Sequence, residues 1–529
     1  MEHFEIFLIA LFVSVAGLNA LANWLSVPYP IPLVLGGLAL GLVPGIPELE
    51  LDPDIVLLIF LPPLLYSAAF FSDLRTLRDN LRPLSLTAIG LVLVTIGAVA
   101  VIAHEVMDFP WAVAFALGAI VSPTDPVAAT AIMRRVGAPR RIVNLIEGES
   151  LVNDATALVA YRVAVAAAIG GSFSALDAGL EFVGAAAGGI AIGLAVAYVI
   201  GEIRRRTDDA RTEITISLLT GYAAFIPADE LGLSGVLAAV SAGIYLGWRA
   251  PELISPATRL QAIGTWEILS FLLNATLFIL IGLQLPVVVD GLQGRGAGEV
   301  VGYSALVCGA VIAVRFVWLF TIPYMIRVLD RRPSQVARRV GPAPRIVVGW
   351  AGMRGAVSLA AALALPLQTD AGGAFPERDL ILFITFMLIL VTVVGQGLTL
   401  PALIRRLGVV EDGAEEEAEE TRGRLVAAQA ALDRLDELEA EEWTRDETIE
   451  RLRGLFRFRQ RRFKVRAGKM EDDEESIEDR SLTYQRMMHL VYEAQRHALV
   501  QLRNEGTISS EVMRRLEREL DLDESRLEV

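Results

Sequence analysis

The chain has 529 residues, of which 54% are hydrophobic and 21% charged, and its mean hydropathy of +0.51 excludes an ordinary soluble protein. Its net charge of −15 is unevenly divided: residues 1–410 contain 26 arginines, no lysine and 30 acidic residues, whereas residues 411–529 contain 21 basic and 32 acidic residues. We therefore expect the first part in lipid and the second in water. The single cysteine, Cys308, excludes an intramolecular disulfide.

The first part is a succession of apolar segments of about 20 residues, the length that crosses a bilayer as a helix. Thirteen transmembrane segments are predicted, at residues 4–25, 31–46, 54–71, 83–103, 110–133, 141–168, 176–202, 211–228, 231–248, 263–283, 298–326, 345–367 and 378–404.

Arginines are concentrated in alternate connections between these segments. Five connections hold 19 arginines, while the other connections and the N-terminus hold only Arg295 and Arg378. Because cytoplasmic loops retain basic residues, we expect the N-terminus outside and the C-terminus in the cytoplasm, in a bacterial-type plasma (inner) membrane. Arg162, Arg315 and Arg354 lie within the segments, where a charge needs a partner or water, so each is a candidate for a buried ion pair.

Thirteen segments fit two halves of six if the seventh separates them, and equivalent helices then cross the membrane in opposite directions. The fifth segment of each half should be the unusual one. In the first half two prolines flank Asp125, and in the second three glycines surround Arg354; both patterns break helices. The predicted fold is therefore an all-α polytopic membrane protein with two inverted six-helix repeats, crossed broken helices in the fifth and twelfth segments, and a midplane binding site.

The sixth segment is the most polar. Its polar residues are Asn144, Glu147, Glu149, Ser150, Asn153 and Asp154. Helical spacing places Ser150 and Asp154 on one face, and Glu149 with Asn153 on the adjacent face. A carboxylate beside a hydroxyl and the free carbonyls of a broken helix offers oxygen ligands to a small monovalent cation, and the same carboxylate can bind a proton instead. One group that binds either ion is the minimum chemistry of an exchanger.

The remaining charges have structural interpretations. Asp125 is predicted to compensate the positive N-terminal ends of half-helices, and Arg354 the opposite ends. Glu149 is predicted to form an ion pair with Arg354, which leaves Asp154 unpaired and exchangeable.

Three stretches resemble the signature motifs of the cation/proton antiporter superfamily, in its sodium/proton exchanger branch, over about residues 1–408. They are Ser122-Pro123-Thr124-Asp125-Pro126-Val127-Ala128-Ala129-Thr130, Glu147-Gly148-Glu149-Ser150-Leu151-Val152-Asn153-Asp154 and Gly352-Met353-Arg354-Gly355-Ala356-Val357-Ser358.

The resemblance implies exchange of sodium, or lithium, for protons by alternating access. It implies a homodimer, with a dimerisation domain separate from a moving transport domain. It makes Asp154 the acid that binds the cation and the proton, with Ser150 and Thr124 as further ligands. The candidate ion- and proton-binding set also includes Asp125 and Asn153. One departure is in the third segment, where many relatives carry an acid after a Leu-Pro-Pro-Leu-Leu stretch and this chain has Leu61-Pro62-Pro63-Leu64-Leu65-Tyr66-Ser67.

The pair Asn153-Asp154 bears on the number of ions exchanged per cycle. Some relatives have two aspartates at these positions, and exchange in those relatives is typically electrogenic. If Glu149 is held in an ion pair, one carboxylate exchanges its charge, and we expect electroneutral one-for-one exchange. A potassium/proton antiporter of the same fold is the alternative. A remote alternative is an intramembrane aspartyl protease using Asp125 and Asp154, but neither acid has the Gly-x-Gly-Asp turn expected there. A channel suits a single titratable acid between inverted broken helices less well.

The predicted domains are a transmembrane antiporter domain at 1–408, an acidic linker at 409–424 and a cytoplasmic helical regulatory or dimer-contact domain at 425–529. The basic run 457–466, with interleaved phenylalanines, either lies on the anionic cytoplasmic leaflet or forms a surface helix that pairs with acidic blocks. No zinc or nucleotide motif is present in the sequence, so we expect no cofactor. The expected partners are a monovalent cation, protons, membrane lipids and a second copy of the chain, and not nucleic acid.

Overall fold

A computed structural model of the chain describes residues 4–25, 27–43, 53–170, 175–207, 209–292, 295–329, 341–370, 372–411, 414–470, 477–525 and 527. The described residues form helices, and their one β pairing is an isolated bridge between Gln368 and Ala374. The predicted all-α class is thus confirmed. The chain divides into two compact units, Met1–Glu411 and Asp412–Val529.

The first unit begins with α1 (Phe4–Leu25), α2 (Pro30–Gly41), α3 (Pro53–Phe70), α4 (Leu74–Asp79), α5 (Leu81–Ser85), α6 (Val92–Met107), α7 (Trp111–Val121), α8 (Pro126–Val136), α9 (Arg140–Gly170) and α10 (Ala175–Arg204). It continues with α11 (Ala210–Glu230), α12 (Gly235–Leu253), α13 (Pro256–Leu283), α14 (Leu285–Gly291), α15 (Ala297–Leu329), α16 (Pro342–Trp350), α17 (Ala356–Leu363), α18 (Arg378–Leu390) and α19 (Gly397–Arg406). Two π-helical turns, Leu86–Leu91 and Val391–Gln396, join α5 to α6 and α18 to α19.

Each of the thirteen predicted segments coincides with one of these helices or with two consecutive ones. Within the described residues, seven helices are long and apolar enough to cross a membrane, and three shorter apolar helices lie within α1, α2 and α3. The number thirteen therefore stays a prediction. The second predicted segment is shorter as a helix, since α2 ends at Gly41, and residues 44–46 lie outside the described part.

The helices of this unit pack as two sets. In one set α2 packs on α13, α3 on α12, and α10 and α11 on α12; in the other α7 packs on α6 and α9, and α15 on α6 and α18. Small residues permit close approach within the first set, where Gly37 of α2 lies against the backbone of α13 and Gly243 of α12 against α3. The broken helices α7–α8 and α16–α17 contribute to the second set.

The second unit contains α20 (Ala414–Leu438), α21 (Asp446–Arg466), α22 (Ile477–Asn504) and α23 (Ser510–Ser525). The acidic stretch predicted as a linker is helical from Ala414 onward, because acidic side chains in the first turns of a helix are stabilised by its positive N-terminal end. Arg453 of α21 donates to Asp436 of α20 and to Glu439 directly after it, each at 2.8 Å. Arg424 of α20 lies over the ring of the buried Phe463. The helix carrying the basic run thus packs against α20.

Candidate functional site

Two helix breaks meet inside the first unit. The chain leaves helical conformation between α7 and α8, where Pro123 and Pro126 lack the N–H groups that a continuous helix needs, and again between α16 and α17. The backbone N–H of Asp125 in the first break donates to the carbonyl oxygen of Met353 in the second, at 2.8 Å. The breaks predicted from the proline pair and the glycine cluster are therefore in direct contact.

Asp125 caps two helices at once. Its Oδ1 accepts from the N–H of Val127 at 2.8 Å, and its Oδ2 accepts from the N–H of Ala356 at 3.2 Å. These groups belong to the first turns of α8 and α17, whose N-terminal N–H groups lack helical partners and carry partial positive charge. A Cβ atom on Gly355 would collide with this carboxylate, so the contact requires glycine.

Arg354 binds carbonyl groups at the C-terminal ends of the broken segments. Its Nε donates to the carbonyl of Val121 at 3.2 Å and its Nη2 to that of Ser122 at 3.4 Å, and Nη1 donates to Gly352. Its backbone N–H donates to Thr392 Oγ1 at 3.0 Å. The guanidinium thus lies on the carbonyl ends of the broken segments, as predicted.

The predicted ion pair between Glu149 and Arg354 is wrong. Glu149 Oε1 instead lies 2.6 Å from Nη1 of Arg315, and both side chains are less than 5% exposed. Arg315 also donates from Nε and Nη2 to the carbonyl of Val348, at 3.3 and 3.2 Å, so it ties α9 to α15 and α16. The physical reason is that the guanidinium of Arg354 already donates to the backbone carbonyls of Val121, Ser122 and Gly352. The sequence identifies Arg315 as an arginine within a predicted transmembrane segment, but it does not show that this arginine lies next to Glu149.

Arg162, the third intramembrane arginine, has a partly exposed position. It pairs with Asp229 and donates to the carbonyl of Leu233 at 3.0 Å, which links α9 to the turn between α11 and α12. The pair therefore joins α9 to the end of α11.

The polar face of α9 holds the first break in place. Ser150 Oγ donates to the carbonyl oxygen of Thr124 at 2.6 Å, and Asn153 Nδ2 donates to Thr124 Oγ1 at 2.8 Å. All three side chains are at most 3% exposed. Within the described residues, Asn153 Oδ1 has no hydrogen-bond donor, so an acceptor oxygen is buried here unused.

Asp154 follows Ser150 by one helical turn and shares its face. The residue is 7% exposed, and no hydrogen bond or ion pair from the described part of the chain reaches its carboxylate. It differs in this from Asp125, whose two oxygens accept backbone N–H groups, and from Glu149, which pairs with Arg315. A buried carboxylate without such partners is unstable as an anion unless a cation or a proton joins it. No cluster of three or more His, Cys, Asp or Glu side chains suited to a metal ion occurs among the described residues.

Tyr66 directly follows the Leu-Pro-Pro-Leu-Leu stretch of α3. Its ring is fully buried beside those of Phe70 and Trp266, at centroid distances of 5.7 and 5.6 Å. An aromatic cluster therefore joins α3 to α13, and neither Tyr66 nor Ser67 supplies a second carboxylate here.

Comparison with known proteins identifies relatives along the whole chain. The family model for the transmembrane sodium/hydrogen exchanger matches residues 8–406. An uncharacterised sodium/proton exchanger of Mycobacterium tuberculosis is 37% identical over 525 residues, covering 98% of this chain and 95% of the relative. The sodium/proton antiporter ApNhaP of Aphanothece halophytica is 33% identical, covering 82% of this chain and 80% of the relative.

A further relative, the sodium, potassium, lithium and rubidium/proton antiporter of Bacillus subtilis, is 33% identical and covers 75% of this chain and 61% of the relative. The fold resembles that of the solved sodium/proton antiporter MjNhaP1 of Methanocaldococcus jannaschii, with a TM-score of 0.59 at 20% identity, over 75% of this chain and all of that one.

The matched family consists of membrane transporters and not of enzymes, which excludes the intramembrane protease. The match includes all three motifs and the crossing that they build. The chain belongs to the sodium/hydrogen exchanger family of cation/proton antiporters.

Proposed function

We propose that this protein exchanges sodium for protons at Asp154, by alternating access and with one cation for one proton. The observation that carries the proposal is the isolation of Asp154: it is the buried acid of α9 that no described donor or cation engages. Burial makes an uncompensated carboxylate costly, so the site is occupied by either ion in turn.

Oxygen atoms around Asp154 supply the cation site that we propose. Ser150 Oγ and the carbonyl of Thr124 are already in contact with each other, and Asn153 Oδ1 is a buried acceptor on the same helix. Hydroxyl, carbonyl, amide and carboxylate oxygens are the ligands that hard cations prefer. We assign Asp125 to helix capping, because both of its oxygens hold backbone N–H groups.

One-for-one exchange follows from the number of free charges. Glu149 is neutralised by Arg315, position 153 is an asparagine, and α3 has Tyr66-Ser67 in the stretch where many relatives carry an acid. Asp154 alone then changes charge in each crossing, so exchange is electroneutral.

The two helix sets fit the division into a scaffold and a mobile domain. We assign the set built on α2, α3, α12 and α13 to the scaffold that forms a homodimer, and the set with the crossing to the transport domain. The inverted six-helix repeats, the outside N-terminus and the cytoplasmic C-terminus in the plasma membrane belong to the same proposal. The C-terminal helices are a regulatory or dimer-contact module.

Potassium/proton exchange is the second candidate, because the Bacillus relative is named for sodium, potassium, lithium and rubidium. Purified protein in vesicles with an imposed proton gradient should transport sodium in preference to potassium, and potassium-driven proton movement of equal rate would favour the second candidate. Where potassium is not transported, a potassium and valinomycin clamp sets the voltage. A reversal point that shifts with voltage contradicts one-for-one exchange.

A further inference from the structure

A cavity of about 500 Å³ lies among α5 with its π-helical turn, the start of α9, the end of α15 and α16. The helix ends around the cavity adjoin the arginine-rich connections 72–82, 134–141 and 327–345. The charge pattern predicts that these connections are cytoplasmic. The cavity is separate from Asp154, Ser150 and Thr124, which are not among its lining residues.

The wall of the cavity is mostly apolar. Leu86, Leu145, Trp318, Ile322 and Ile326 contribute to it, together with four prolines. The indole of Trp318 is half-buried and packs over Gly90, where a Cβ atom would approach the ring to 2.7 Å. A hydrocarbon chain would cover this wall, whereas a small water-soluble anion would leave it exposed to water.

The charges that line the cavity are predominantly positive. Arg82 and Arg141 are exposed, and Arg345 is only 8% exposed and lies over the ring of Tyr324, 5.2 Å from its centroid. The single lining carboxylate, Glu149, is paired with Arg315. The cavity therefore combines an apolar wall with a net positive charge.

We propose that this cavity binds an anionic phospholipid of the cytoplasmic leaflet, with the headgroup phosphate at Arg82, Arg141 and Arg345 and one acyl chain along Trp318 and Ile322. Basic pockets between transmembrane helices on the cytoplasmic side are suited to anionic headgroups, and each arginine near the leaflet contributes about a fivefold preference for them.

The cavity adjoins the contacts of Arg315 that join α9, α15 and α16. Glu149 and Val348 both line the cavity, and both are bound by Arg315. Lipid in the cavity thus touches the backbone and side-chain contacts that join α9, α15 and α16, so its presence alters the exchange rate as well as stability.

The test uses the full chain in nanodiscs of phosphatidylcholine that contain a minor fraction of brominated phosphatidylglycerol or brominated phosphatidylcholine. Bromine quenches tryptophan fluorescence at contact, and the contribution of Trp318 is the difference between the wild type and Trp318→Phe. We expect this contribution to be quenched by the anionic lipid well before the zwitterionic one. Soluble glycerol phosphate should not reverse the quenching.

Two variants distinguish the contribution of the arginines that bind the headgroup from that of the apolar wall. Arg82→Gln with Arg141→Gln should lower the preference for the anionic lipid by tenfold or more, at about fivefold per arginine. Ile322→Phe, which adds no fluorescent tryptophan, should fill part of the cavity and weaken the quenching of Trp318 by both lipids. The matched control is Arg75→Gln with Arg78→Gln, two exposed arginines that do not line the cavity. Equal quenching by the two lipids, an unchanged preference in the first pair, or reversal by glycerol phosphate would each overturn the proposal. These measurements do not involve ion transport, so they stand apart from the function of Asp154.

Discussion

Asp125 and Arg354 divide the helix ends of the crossing between them. The carboxylate of Asp125 accepts the N–H groups of Val127 and Ala356, at the starts of α8 and α17. The guanidinium of Arg354 donates to the carbonyl of Val121, at the end of α7. Each of the two residues lies in one break and binds backbone groups of both breaks. The partial charges of the unpaired N–H and C=O groups at these helix ends are thus compensated inside the protein.

Asp154→Asn should abolish exchange and leave the fold intact, because it removes the one uncompensated carboxylate of α9 and preserves the size of the side chain. Sodium-dependent proton movement in vesicles should fall to the level of empty vesicles, with an unchanged melting temperature. Glu147→Gln is the matched control on the same helix, since Glu147 forms an exposed pair with Arg134. Residual exchange in Asp154→Asn above that of empty vesicles would contradict the assignment.

Arg315→Ala should destabilise the protein by roughly 3–5 kcal/mol, because it leaves Glu149 buried without its ion partner. The measurement is the midpoint of unfolding in detergent. Adding Glu149→Gln should recover much of the lost stability, because the buried charge is then removed. If Arg315 only filled space, the second substitution would recover nothing. The control is Arg295→Ala, which breaks a more exposed pair with Glu377 and should have an effect of about 1 kcal/mol or less.

Gly355→Ala should destabilise the crossing, because the added methyl group collides with the carboxylate that caps α8 and α17. We expect a loss of about 1–3 kcal/mol, typical of overpacking, together with reduced exchange. Gly302→Ala on α15 is the control, since a Cβ atom there meets nothing within 4 Å. Equal stability of the two variants would show that Asp125 can withdraw from Ala356 freely.

Arg496→Gln should loosen the contact between α22 and α23 at neutral pH, and its difference from the wild type should disappear in acid. Arg496 lies on Glu524 and Asp521, and this arginine, with His489, holds the pKa of Glu524 below its ordinary value. A lowered pKa means that the carboxylate contributes stability at neutral pH, which is lost as the pH falls through the lowered value. In the variant the pKa of Glu524 is lowered less, so this contribution is smaller at neutral pH and its loss is complete at a higher pH. Hydrogen exchange of α23 in the full chain measures it, with Arg514→Gln as the control.

The sequence predicts the crossing well because its determinants are local. Prolines around Asp125 and glycines around Arg354 interrupt any helix, and matching interruptions in two halves indicate one site. The partner of Glu149 could not be chosen in this way. Arg315 and Arg354 both lie within apolar segments, and the carbonyls that engage Arg354 become available only once the breaks have formed.

The acidic stretch after residue 411 shows a similar limit. Runs of like charge predict a solvated linker, yet the helix begins at Ala414 because its residues have good helical propensity and the acids lie at its positive end. The charge pattern identifies where the apolar unit ends, whereas the backbone conformation depends on the helical propensity of the whole segment up to Leu438.

The hydrogen bonds from Ser150 and Asn153 to Thr124, and from Asp125 to Met353, join α9 to both broken helices. Under the function that we propose, these bonds keep α9 and the broken helices together, so a cation at Asp154 would keep the same oxygen ligands on either side of the membrane. Exchange of one sodium ion for one proton would then be reversible, and the sodium and proton gradients together would set its direction.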